Sequence, residues 1–258
     1  ITLTIASLIG IWMYELHFRL PHIAWGLTYG VGFILTLYLV EPEVTATEKF
    51  TWGGYLHKLR EGTVHLFQPA LKRYLPMIFT ISGIYFLYSN GFFRPAIALE
   101  FGFEHEAQSV ILAILGLIAA VIMRMIPWLR TRISDGQGLF ILSMMIGAGF
   151  LASAFPIGHY GFFALLIIGV AGRLTQPWVS VVVNQYLESE YRATALSVVT
   201  ITTQIPYTIV AIAAGQIVEQ GHLADFNLGI AVVIFSVTGL SVLGAGVTSL
   251  RERERDEA

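Results

Sequence analysis

Between Leu75 and Leu250 the chain runs through six long apolar stretches with almost no charge inside them. A helix needs about 20 apolar residues to cross the hydrocarbon core of a bilayer. Six such stretches in succession, parted by short polar breaks, make lipid the solvent for most of the protein. They predict an all-α, polytopic bundle of transmembrane helices.

The composition fits that reading. The 258 residues are 55% apolar and only 12% charged, against about 25% charged in soluble domains. Mean hydropathy is +0.70. A formal net charge of -2 and the lack of a basic stripe give no footprint for nucleic acid. With no Cys, disulfides and thiolate metal sites are excluded. The chain begins with Ile1, already inside an apolar segment and preceded by no basic region, so a cleavable signal peptide is a poor reading. We expect the C-terminal part of something longer.

Along the chain, Ile1 to Tyr14 reads as a helix cut at its start and Ile23 to Val40 as a second span, ending at Glu41-Pro42-Glu43. Val44 to Tyr74 differs in kind. Leu56, Leu59, Leu66 and Leu71 fall at helical spacing, with Lys58, Glu61, His65 and Lys72 largely between them. This predicts an amphipathic helix on the membrane face, bent near Pro69. The six spans are expected at 75–98, 107–127, 138–156, 160–186, 194–217 and 227–249, followed by a charged tail. Three blocks result: residues 1–43, a linker at 44–74, and a bundle with its tail at 75–258.

Lys and Arg set the orientation. With the linker in the cytoplasm, that side receives twelve of the fifteen basic residues, Arg124, Arg130, Arg132, Arg192, Arg251, Arg253 and Arg255 among them. Arg19 alone falls outside, while Arg94 and Arg173 lie within spans. The expectation is an integral protein of the plasma (inner) membrane with linker and C-terminus cytoplasmic.

The stretch Glu190-Tyr191-Arg192-Ala193-Thr194-Ala195-Leu196-Ser197, followed by Pro206, Gly215 and Gly221, resembles the opening of the second-last helix of major facilitator superfamily transporters. Glu41-Pro42-Glu43 at the start of the linker is similar to that family as well. Arg130-Thr131-Arg132-Ile133-Ser134-Asp135-Gly136 carries the charge types of the family's Gly-Asp-Arg-Gly-Arg turn in a different order. The resemblance implies that 1–43 holds the last two helices of a first six-helix half, that 75–258 is the second half, and that four helices precede the chain. It implies a secondary transporter working by alternating access, with substrate held near the midplane between halves. It also implies that the fragment does not transport without those helices. Arg94, Arg130, Arg132, Asp135 and Arg192 are the candidates for gating or conformational roles.

Arg173 stands near the centre of its span, where a charge costs about 2.5–3.5 kcal/mol on insertion scales. It therefore faces a cavity or a partner. A guanidinium there suits a carboxylate or phosphate; the rival reading is a structural cation paired with an acidic residue elsewhere. Gln176 and Asn184 share its helical face, and Pro177 can bend the span. Tyr85, Tyr88 and Asn90 form a polar-aromatic cluster, and Thr200, Thr203, Gln204 and Tyr207 share another face. We take Arg173, Gln176, Tyr85, Tyr88, Asn90, Gln204 and Tyr207 as candidate substrate-binding residues. For the Tyr and Thr residues, simple packing and helix-to-helix hydrogen bonds are equally open.

No His pairs with another ligand at i,i+4 within a span, so no metal site is expected. No phosphate-binding Gly-Lys-Ser/Thr loop and no hydrolytic constellation are present, so neither a cofactor nor an enzyme is expected. The expected partners are a small organic solute, anionic if Arg173 binds it, and a coupling ion, proton or sodium, besides the bilayer. The alternatives are a non-transporting receptor or assembly protein on the same scaffold, and a hydrophobic drug exporter.

Overall fold

The computed structural model describes residues 2–39, 51–90, 93–187 and 189–256. They are helical throughout, with no strand among the described residues. Two apolar helices come first, α1 (Thr2–Leu16) and α2 (Leu20–Thr36). Pro21 sits in the first turn of α2, where its missing N–H is no loss. The charged segment supplies α3 (Trp52–Leu66), and a short α4 (Pro69–Lys72) follows. Thr51 caps α3 by accepting from the Gly54 N–H at 3.1 Å. Val44 to Phe50, the first part of the predicted amphipathic segment, lies outside the described residues.

The remaining elements are α5 (Leu75–Asn90), α6 (Phe93–Glu100), α7 (His105–Arg130), α8 (Asp135–Ala152), α9 (Gly161–Tyr186), α10 (Ser189–Glu219) and α11 (Leu223–Asp256). Five of these regions are long and apolar enough to cross a bilayer. The first predicted span, 75–98, holds α5 and α6, and residues 91 and 92 between them lie outside the described residues.

The centre of the bundle is the contact of α8 with α9 on one side and α11 on the other. Small residues make it close. A Cβ on Gly149 would lie 2.4 Å from Ile168 Cγ1, so the Ile168 side chain of α9 packs directly on the backbone of α8 there. Around this core α7 packs on α9, and α5 packs on α8, α9, α10 and α11. Two further contacts tie the early helices in. α1 lies along α7, and α3 lies along α10, where Gly62 faces Thr194 at a distance that leaves no room for a Cβ. Trp25, Leu27, Tyr29 and Phe33 on α2 remain exposed, as does much of the apolar outer face of α10 and α11. Such a surface is unfavourable in water and ordinary in lipid.

Three buried hydroxyls are satisfied within their own helices. The hydroxyls of Ser143, Ser153 and Thr175 donate to the carbonyl four residues back, at 2.8, 2.8 and 2.9 Å. In hydrocarbon, where water offers no alternative, that arrangement avoids a cost of several kcal/mol per unpaired group.

Candidate functional site

The polar centre of the bundle is built where α5 crosses α9. Helix α9 is apolar from Gly161 to Gly172 and buries most of that length. Arg173 then interrupts it, half-buried. Pro177, four residues on, has no N–H to give to the Arg173 carbonyl, so the helix is weakened at the point where the charge sits.

Tyr85 of α5 meets this point directly. Its ring packs against Gly172: a Cβ there would come 1.8 Å from Tyr85 Cδ2 and 2.0 Å from Cε2. Gly172 is thus a seat for the tyrosine, and the next residue brings its guanidinium close enough to interact with the Tyr85 hydroxyl. Arg94, at the start of α6, also acts on that hydroxyl electrostatically. The aromatic line continues inward. Tyr85 and Tyr88 rings are 6.3 Å apart, and Tyr88 meets Phe150 edge-on at 5.9 Å. Tyr88 is buried, and its hydroxyl has no hydrogen-bond partner among the described residues. It borders a cavity of about 10 Å³, shared with Arg94 and Gln108, which has room for about one water.

Among the other candidates, Gln176, Asn184, Thr200 and Thr203 stand apart from this centre. Gln176 is exposed, one turn beyond Arg173. Asn184, half-buried, donates to Ser180 Oγ of its own helix at 3.4 Å. The hydroxyls of Thr200 and Thr203 donate to carbonyls of α10. Gln204 is half-buried on α10. The side chains of Asn90 and Tyr207 lie outside the described residues. The structure therefore joins Arg173, Tyr85, Tyr88 and Arg94 through α5, α6 and α9. It adds Gly172, which the sequence marks only as one small residue among many.

A second polar cluster occupies the end of the bundle that bears the linker. Ser134 and Gln137 form a reciprocal cap at the start of α8. That cap fixes Asp135, whose carboxylate accepts from Arg130 Nη2 at 2.8 Å. The same Nη2 donates to Gln185 Oε1 at 2.7 Å, linking the α7–α8 turn to the end of α9. Trp178 Nε1 donates to the Asp135 carbonyl at 3.3 Å. From the linker, Gln68 Nε2 donates to the Tyr186 carbonyl, and the Tyr74 ring lies 6.0 Å from that of Tyr186. Burial, aided by a hydrogen bond with Tyr186, pushes the Tyr74 hydroxyl above the usual phenol range, against the lowering effect of Arg73. Arg132 lies outside this network, exposed with its guanidinium 5.8 Å from the Trp128 ring centre. Arg192 donates through Nε to the Leu187 carbonyl at 2.9 Å. Gln185, Tyr186, Gln68 and Trp178 have no signal in the sequence, because each finds its partner far along the chain.

The family model of the Major Facilitator Superfamily matches residues 1–211, most of the chain, and the protein belongs to that superfamily. A search of curated proteins finds no match.

Proposed function

We propose that this major facilitator is a secondary transporter that moves a small anionic solute by alternating access, with Arg173 as the anion-binding group. That it is a membrane transporter follows from its family. The observation that supports the finer reading is the seating of Tyr85 over Gly172 beside Arg173. A half-buried guanidinium in a low-dielectric bundle is a strong site for a carboxylate or phosphate. A tyrosine hydroxyl beside it can donate to the same anion. Arg94 and Tyr88 continue the polar path towards the end of the bundle opposite the linker.

In this reading residues 1–43 close the first half, 44–74 link the halves, and 75–258 form the second half. The Arg130–Asp135–Gln185 cluster holds one conformation at the linker end, and the Lys and Arg bias supports reading that end as cytoplasmic, in a plasma membrane. A proton or sodium ion supplies the driving force.

The test is binding and uptake of a panel of short mono- and dicarboxylates by the full-length protein in proteoliposomes. Loss of a charged hydrogen bond costs about 1.5–3 kcal/mol, so Arg173→Ala is expected to weaken binding roughly 10- to 150-fold. Arg173→Lys, without the planar fork, is expected to restore little of it. Equal binding and uptake by wild type and Arg173→Ala would remove the proposal.

A further inference from the structure

A cavity of about 850 Å³ lies apart from Arg173, between α5, α10 and α11. Helices α10 and α11 each pack on α5 and touch one another little, which leaves a gap between them. The walls are apolar: Phe79, Ile84 and Leu87 from α5, Val210 and Ile217 from α10, and Ile230 and Val233 from α11. The lip is not. His222 and Asp225 stand at the end opposite the linker, with Nδ1 of His222 3.2 Å from Oδ2 of Asp225, and both side chains are exposed.

The dimensions suit a tail. From His222 to Val233 the groove follows α11 for about 16 Å at 1.5 Å per residue. That is close to half of the ~30 Å hydrocarbon core. Gly229 keeps the wall open at mid-depth, since a Cβ there would meet nothing within 4 Å. The charge suits a cation. Asp225 is at the lip and Glu219 ends α10 six residues before it, against His222, which pairs with Asp225, and Arg94, which follows the Phe93 ring stacked on Phe226 at 4.8 Å. In a bilayer an apolar slot of this volume takes hydrocarbon, and the acidic lip selects what is attached to it.

We infer that this groove binds a single-tailed amphiphile with a protonated amine head, the tail along α11 and the head at Asp225. The site is independent of Arg173 and of the solute assigned to it. Two sources share this chemistry: a membrane lysophospholipid and a soluble alkylamine.

The experiment uses lysophosphatidylethanolamine carrying a diazirine in its tail, added to the protein in phosphatidylcholine nanodiscs, with cross-links mapped by mass spectrometry. Saturable labelling centred on residues 226–233 is expected. It should be lost in Gly229→Trp, which fills the slot. It should persist in Gly239→Trp, a position on the same helix outside the groove where a Cβ also meets nothing. If Gly229→Trp does not fold, Gly229→Leu serves in its place. Competition by unlabelled lysophosphatidylethanolamine assigns a lipid source, and competition by dodecylamine alone assigns a soluble one. A matching lysophosphatidylglycerol probe should label less, and Asp225→Asn should narrow that preference by roughly two- to five-fold, the scale of an exposed ion pair. Non-saturable labelling spread over all outer helices, equal in both glycine variants, overturns the site. Equal labelling by the two headgroups in the wild type overturns the amine head.

Discussion

At the scale of single residues, Gly172 and Tyr88 carry opposite lessons. The Tyr85 ring occupies the space where a side chain on residue 172 would begin. Gly172→Ala is therefore expected to cost about 1–3 kcal/mol, the usual range for overpacking, and to push Tyr85 away from Arg173. Thermal unfolding in detergent and anion binding should both report the loss. Gly229→Ala, into open space, is the control that should leave stability unchanged. Tyr88 is the reverse case. Its hydroxyl is buried without a protein partner, and an unmade hydrogen bond costs about 1–3 kcal/mol. Tyr88→Phe is expected to leave the melting temperature unchanged or raise it. A clear fall would mean that the hydroxyl holds a buried water as a structural link.

Among the elements, the α7–α8 turn is the joint between three helices and the linker. Arg130 bridges Asp135 and Gln185 while Ser134 caps α8. Ser134→Ala is expected to cost about 1 kcal/mol through the lost cap. Arg130→Ala is expected to cost about 1–2 kcal/mol, since it strips a charged donor from the partly buried Asp135 carboxylate and from the exposed Gln185. Limited proteolysis at 128–137 should detect the loosened turn in either variant. Tyr74, at the α4–α5 junction, adds a pH signature. Its folded-state value lies above the ordinary phenol value of about 10. The folded form therefore holds the proton more tightly. The associated stability is present in full below pH ~10 and is lost as pH rises through the folded value. Unfolding midpoints followed from pH 8 to 12 should fall above about 10, and less steeply in Tyr74→Phe.

For the whole molecule, the lack of native Cys makes topology directly measurable. Single cysteines placed at Thr131 and at Gln220 lie at opposite ends of the helices. With an impermeant maleimide on intact cells, Cys at 220 should react and Cys at 131 should not; the reverse pattern would invert the orientation read from Lys and Arg. The sequence was sufficient for the helices and their lipid setting, because hydropathy and periodicity are local properties, readable from about 20 residues at a time. It also singled out Arg173, because a charge deep in an apolar run is anomalous without reference to any neighbour. Tertiary structure alone decided the pairings: α1 on α7, α3 on α10, Tyr85 on Gly172, Arg130 on Gln185. These depend on the fit of two surfaces far apart in the chain, and among helices that are all apolar, composition does not distinguish one partner from another.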